Sequence, residues 1–308
     1  MATPEVAGLR LDVAVARLLP QLTRARVQRL LAEGRIRVGG RAAKPAARLR
    51  GGERLEVEIP EPEPSSLVPQ DLPLRVLHED PDLLVLDKGA GMAVHPARGT
   101  PHSTVVNALL HRLGAGPGSR LGLVHRLDKE TSGCLVVARN EAALLALQAA
   151  FKARRVEKTY LALCHGRLPD QGKLDTPYGR NPRERTRFTS RVRSERRAVT
   201  AWRVVERFGD AASLAEVTLH TGRTHQIRVH LAEAGHPLLA DATYGGRRRE
   251  ARLPSQHPAR RAAEALGRQA LHARRLAFEH PRTGLRVAFE APLPEDLRRA
   301  IAILRGRG

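Results

Sequence analysis

Apolar residues recur along this chain in two rhythms, and the rhythm changes where the chain changes module. Near the N-terminus Leu11, Val15, Leu18 and Leu19 follow the three-to-four-residue spacing of one helical face, and Pro20 ends that helix. Thr23 is placed to cap a second helix, with Val27, Leu30 and Leu31 on its apolar face and Gly34 at its end. The period then drops to two. Ile36 and Val38 alternate into a Gly39-Gly40 turn, and Leu55, Val57 and Ile59 alternate as a closing strand. The run PEPEPSSLVPQD at 60–71 holds four prolines, no basic residue and no apolar period, so it reads as a stiff linker.

Past the linker, strand and helix patterns alternate irregularly. Val76 and Leu77, then residues 83–86, flank a turn at 79–82. Residues 141–153 read as a helix with Ala142, Leu145 and Ala149 on one face. Tyr160, Ala162 and Cys164 alternate with Leu161 and Leu163 as a strand, and Val217 and Leu219 lead into a Thr221-Gly222 corner. Short strands between marked turns predict an α+β fold with a mixed, mostly antiparallel sheet, preceded by a small α/β module. The Arg-rich stretch 245–266 has little apolar content and reads as an exposed loop.

Composition narrows the class. With 308 residues the chain has room for one large domain or two, and its balance of 42% hydrophobic and 28% charged residues is that of a folded protein. No apolar run approaches a membrane span, the N-terminus lacks a signal-peptide core, and the two cysteines, Cys134 and Cys164, form no framework; the expectation is a cytoplasmic protein. The net charge of +21 changes the picture most. Six of the 53 basic residues are lysine and the rest arginine. A preference for arginine can come from codon bias, but an excess of cations over acids cannot, and it points to a polyanion such as nucleic acid. Arg24, Arg26 and Arg29 lie on the polar side of the second helix, where guanidinium groups suit phosphates. Residues 180–197, with eight arginines and two glutamates, make a second basic surface.

Two strings carry candidate chemistry. In GLVHRLDKETSGCLVVARN, residues 122–140, Asp128 reads either as a cap of the following turn or as a carboxylate exposed at the rim of a sheet. In LHTGRTHQIRVHLAEAGHPLLADATYGG, residues 219–246, Arg223, His225, Gln226, Arg228 and His230 crowd together. His225 and His230 lack the spacing of a helical metal pair and a nearby third ligand, so no metal is assigned. Read as an extended segment, Gln226, Arg228 and His230 share one face, from which Arg228 can hold a carboxylate ionised. Lys88 and the glycines after it match no phosphate-loop pattern, His95, His125 and His272 read as structural or substrate-adjacent, and both cysteines read as inert.

Residues 8–59, with RLDVAVARLLPQLTRARVQRLLAEGRIRVGGR, resemble an S4 RNA-binding domain. HRLDKETSG and TGRTHQIRVH, together with DKGAGMAVHP, EKTYLALCHG and RQALHARRLAFEHP, closely resemble the RluA family of pseudouridine synthases in the family's own order over 73–297. Within it the chain is most similar to the branch that carries the same S4 appendage and acts on 23S ribosomal RNA. The division implied is an S4 domain over 8–60, a linker over 61–72 and a synthase domain over 73–308. The resemblance implies isomerisation of uridine to pseudouridine without metal or cofactor. Asp128 matches the essential carboxylate, Tyr160 the active-site tyrosine that packs on uracil and is a candidate to take its C5 proton, and Arg228 the arginine paired with the carboxylate. Arg126 matches the residue that replaces the flipped base in the RNA helix, and Leu271 an apolar residue of the base pocket. His125, Arg24, Arg26 and Arg29 complete the expected RNA contacts. The implied partner is 23S rRNA, free or in the ribosome or an assembly intermediate, with no membrane and a monomeric enzyme. The alternatives are another rRNA site, a tRNA, or, from a different class, a non-catalytic S4-type assembly factor.

A flipped uridine costs a few kcal/mol of lost stacking, about what extra phosphate contacts in a basic cleft can offset. The low aromatic content of 3% argues against a generic single-strand stacking platform and fits recognition of folded RNA by shape.

Overall fold

The computed structural model describes residues 4–20, 22, 24–59, 67–97, 100–114 and 122–306. The chain divides into two units, residues 1–65 and 66–308, each with its own core.

In the first unit, helices α1 (Leu11–Leu18) and α2 (Arg24–Ala32) cover a small antiparallel sheet of order β2-β1-β3, formed by β1 (Ile36–Val38), β2 (Arg41–Ala42) and β3 (Leu55–Val57). The predicted stripes meet in one core that includes Leu11, Val15, Val27, Leu30, Leu31 and Ile36. Gly34 ends α2 with φ 72°, a conformation that suits glycine. The proposed cap Thr23 lies outside the described residues. Ile59 is 49% exposed and falls beyond β3, because the pairing of β3 with β1 ends at Ile36 and Val57. Asp12 is buried in α1 and accepts hydrogen bonds from Arg10, Arg24 and Gln28, which hold its carboxyl far below the usual range.

The second unit is built from β4 (Arg75–Glu79), β5 (Leu83–Lys88), α3 (Val105–Arg112), β6 (Gly122–Leu123), β7 (Ser132–Ala138), α4 (Glu141–Lys152), β8 (Glu157–His165) and β9 (Gln171–Pro177). There follow a β10–β11 hairpin (Gly179–Arg180 and Phe188–Thr189), β12 (Arg197–Phe208), β13 (Ala212–Leu219) and α5 (Gln226–Glu233). The chain ends through α6 (Gly246–Glu250), α7 (Pro258–Leu266), β14 (Leu271–Glu279), β15 (Arg286–Glu290) and α8 (Glu295–Leu304). The main sheet runs β4-β5-β7-β14-β8-β13-β12-β9, with β15 on β14 and β6 on β7. Only the β14–β7 pairing is parallel among the described strands, so the sheet is mixed and mostly antiparallel, as expected.

Alternation along β8 explains how both faces are covered. Tyr160, Ala162 and Cys164 join one core with residues of α3 and α5, whereas Leu161 and Leu163 join another with residues of α7 and α8. On β5 and β7, Leu83, Val85, Cys134 and Val136 pack against α4. No helix among the described residues is long and apolar enough to cross a membrane.

Three sequence readings change. The 141–153 helix forms, but Ala142, Leu145 and Ala149 face solvent, while Ala143, Leu147 and Ala150 are buried. Alanines on both faces blur the stripe; the rotation is set by Asn140, which accepts from the Ala143 N–H and donates to Asp82. The stretch 245–266 is not a loop. Its α7 has a narrow face of Ala259, Ala262, Ala263 and Leu266 packed on α8, and small alanines hide such a face from hydropathy. The linker reading also shortens. Residues 60–66 lie outside the described residues, but Val68 and Gln70 are fastened to α3 through hydrogen bonds with Asn107.

Candidate active site

Asp128 sits in the loop between β6 and β7. Its carbonyl oxygen, not its carboxylate, closes the following turn by accepting from the Thr131 N–H at 3.0 Å. That decides between the two local readings of this residue, because the side chain is left free to face a cleft. Gly133 then crosses β14 so closely that a Cβ there would lie 2.2 Å from the Ala273 carbonyl, and its φ of 114° is one that side chains avoid.

Arg228 reaches Asp128 from α5. Its Nη1 donates to Asp128 Oδ2 at 3.1 Å, while Nε and Nη2 form a fork onto Asp241 at 2.7 and 3.0 Å. The Arg228 side chain is 6% exposed, Asp128 18% and Asp241 0%. Burial works against the guanidinium's charge, but the hydrogen bonds and charge of Asp241, and then of Asp128, outweigh it and raise its pKa. The expected extended segment is a helix. Gln226 and His230, one turn apart, face β12, and Arg228 between them faces the cleft. Gln226 anchors the turn before the helix: its Oε1 accepts from the Thr221 hydroxyl and the Arg223 N–H, and its Nε2 donates to Val199 and Thr200.

The cleft before Asp128 has a volume of about 540 Å³. Tyr160, in register with Val217 on β13, and Leu271, in register with Ala162 on β8, are buried residues that line it. Burial, and then the charge of Asp128, pushes the Tyr160 phenol pKa up, so the hydroxyl stays protonated at neutral pH. His125 lines the wall, with its ring 4.9 Å from Phe151 and its Nε2 accepting the Val136 N–H at 3.0 Å. Burial pushes its pKa down to about 3, which makes it a neutral wall residue. Arg126, Lys152, Arg154 and Arg223 are exposed around the opening. An apolar floor, one carboxylate and a cationic rim can hold a flat, uncharged base while the chain that carries it lies on the cations.

The structure therefore brings Asp128, Tyr160, Arg228, Arg126, His125 and Leu271 to one cleft. Arg24, Arg26 and Arg29 belong to the other unit, where Arg24 is partly committed to Asp12 and Arg29 makes no ion pair among the described residues. Sequence reasoning misses the roles of Asp241, Gln226 and Phe151. For Asp241 one signal exists: a buried arginine requires buried counter-charge, and LADATYGG offers it close by in the chain.

Other singled-out groups have structural partners. Lys88 Nζ donates to the carbonyls of Gly89, Met92 and Lys129, and burial lowers its pKa to about 8. His272 bonds Ser132 and the Ala291 carbonyl, and His230 bonds Thr176 and Thr200. Both cysteines are buried, which pushes their thiols up to about 12.

A family model described as RNA pseudouridylate synthase matches residues 82–233, and one for the S4 domain matches residues 9–55. A ribosomal large subunit pseudouridine synthase D of Xanthomonas campestris is 45% identical over 305 residues, covering 97% of this chain and 90% of its own. A protein of the same name from Pseudomonas aeruginosa is 40% identical over 302 residues, covering 98% and 93%. Among solved structures, human RNA pseudouridylate synthase domain containing 4 shares 28% identity at a TM-score of 0.55, over 75% of this chain and 93% of its own.

Proposed function

This chain belongs to the RNA pseudouridylate synthase family, and from that premise we propose that it isomerises specific uridines of large-subunit (23S) ribosomal RNA in the cytoplasm. Several relatives that match nearly its whole length are named ribosomal large subunit pseudouridine synthase D, which supports that substrate, while others are named only as RNA pseudouridine synthases. The observation that carries the site assignment is Asp128 in the cleft, with Arg228 on one carboxylate oxygen and Tyr160 and Leu271 lining the same space.

The reaction breaks the bond from ribose C1′ to uracil N1 and forms one from C1′ to C5; N1 gains a proton and C5 loses one. In our reading Asp128 supplies the carboxylate that acts on the nucleoside. Arg228, locked by Asp241, keeps that carboxylate at a fixed place and balances its charge. Tyr160 and Leu271 hold the uracil while it turns, and the protonated phenol suits Tyr160 to packing better than to proton abstraction. Arg126 at the rim fills the place the base leaves in the RNA. Residues 8–60 act as the S4 module that captures the RNA, 61–72 join it to the second unit, to which Val68 and Gln70 are already fastened, and 73–308 carry the reaction, in a monomer.

The test is unmodified ribosomal RNA tritiated at uridine C5. The wild-type protein should release tritium, and Asp128→Ala should release none while still binding RNA. Release by Asp128→Ala at the wild-type rate would overturn the assignment. Mapping pseudouridine in RNA from a strain lacking the protein decides the substrate: loss of a tRNA site with all ribosomal sites intact would replace the proposed target.

A further inference from the structure

His225 lies at the N-terminus of α5 with φ 58°, left-handed backbone that side chains rarely adopt, and its side chain makes no helix-capping bond. Such a conformation persists where surrounding contacts hold it, and it recurs at functional sites. Here the contacts are aromatic and polar. The ring meets Tyr244 and Phe188 edge-on, with centroids at 5.5 and 5.9 Å. The Phe188 N–H donates to the Tyr244 hydroxyl oxygen at 3.1 Å, and that hydroxyl lies 2.8 Å from His225 Nδ1.

These bonds select a tautomer. Burial lowers the basicity of His225, so the ring is neutral and carries one proton. If the hydroxyl donates to Nδ1, the proton sits on Nε2. Nε2 faces Asp128 Oδ1 at 3.9 Å, and a carboxylate can only accept. Both neighbours thus favour the same arrangement. Oδ1 is also the oxygen that Arg228 leaves uncovered, since its Nη1 takes Oδ2.

We propose that His225 is a positioning residue for Asp128: with uridine in the cleft its Nε2–H closes on Oδ1, and together with Arg228 it fixes the plane of the carboxylate against the nucleoside. Arg228 alone holds one oxygen and leaves rotation about the carboxylate axis open; a second donor removes it. The hydroxyl of Tyr244 acts one step further back by keeping the His225 proton on Nε2. The inference rests on the pseudouridine synthase reading above.

Three full-length variants test it, each measured for RNA affinity and for the single-turnover rate of pseudouridine formation at saturating RNA. His225→Gly suits the positive φ and removes the ring. His225→Gln restores an N–H at a similar reach. Tyr244→Phe keeps the ring, which lies 5.1 Å from the Arg228 guanidinium carbon, and removes the hydroxyl. RNA affinity should stay near the wild-type value in all three. The rate should fall about 100-fold in His225→Gly, the scale of a misplaced reacting group, recover in part in His225→Gln, and fall less in Tyr244→Phe. A folded His225→Gly at the wild-type rate, or equal losses of rate and affinity, or a Gln variant no better than Gly overturns the proposal. Should His225→Gly not fold, an unchanged rate in Tyr244→Phe does so. A wild-type protein that makes no pseudouridine refutes the functional reading itself, whereas an active wild type with indifferent His225 variants refutes only this inference.

Discussion

Single residues carry the electrostatics of the cleft, and their effects are separable. Arg228 is buried between two carboxylates, one of which, Asp241, has no exposure at all. Removing a partner from a buried ion pair typically costs about 3–5 kcal/mol, because the remaining charge stays desolvated. Asp241→Ala should therefore lower stability by roughly that amount, seen as a lower urea midpoint, and it should slow the reaction even where the protein is folded. A variant with wild-type stability would show that water replaces the carboxylate without penalty. His125 makes a prediction about acid. Its folded pKa lies at about 3 against an ordinary 6.5, so in that window the unfolded chain binds a proton that the folded one refuses. Stability then falls as pH drops below 6.5, by about 2 kcal/mol at pH 5 if this group acts alone. His230, lowered to about 4, adds to the same trend. In His125→Gln, which keeps an acceptor for the Val136 N–H, the loss between pH 6.5 and 5 should be smaller in paired unfolding titrations. An unchanged slope would remove His125 as its source. Asp128, Tyr160 and Arg228 stand in strings that resemble the family's motifs, and that resemblance, not the local pattern, singles them out. For Asp241 the sequence offers only nearness to Arg228, because its role arises from burial and from a contact across 13 positions.

Elements place those residues, and here legibility depended on how much apolar bulk an element shows. Strand β5 was plain as a continuous apolar run, and Tyr160 on β8 was plain from alternation. Helix α5 was not, because Gln-Ile-Arg-Val-His alternates polar and apolar residues like a strand; tertiary contacts from Gln226 and His230 to β12 override that pattern. Helix α7 was missed because alanine buries a face with little hydropathy. The glycine that ends the Asp128 string has an element-level reason. Gly133 lies where β7 passes β14 in the sheet's parallel pairing, beside His272 and Ala273. Gly133→Ala must find room for a Cβ against the Ala273 backbone in an unfavourable φ. It should destabilise by about 3 kcal/mol or more, read as a lower melting temperature and reduced soluble yield. A wild-type melting curve would show that the two strands can part without cost.

At the scale of the whole molecule, the +21 charge is unevenly available to a polyanion. Some of it is spent internally: Arg10 and Arg24 hold Asp12, Arg35 holds Glu58, Arg228 holds two aspartates, and Arg268 holds Asp296. What remains lies on the outside. In the first unit Arg29 on α2, Arg37 on β1 and Arg41 on β2 are exposed and form no ion pair among the described residues. In the second, Arg183, Arg185 and Arg193 are basic residues of the 180–197 surface. Total charge, visible in the composition, thus pointed to the class of partner. Which arginines are free to meet it required knowing which carboxylates are already taken. The distinction can be measured by salt dependence. Each phosphate neutralised contributes about 0.7 to 0.9 to the slope of log affinity against log salt. If Arg29, Arg37 and Arg41 contact phosphates, replacing all three by alanine in the full chain should make the slope shallower by about 2. The single-turnover rate at saturating RNA should remain that of the wild type, because none of the three lines the cleft around Asp128. A slope unchanged by the triple replacement would mean that the first unit meets RNA through other groups or does not meet it at all. A rate that fell at saturation would mean that the first unit does more than capture the substrate.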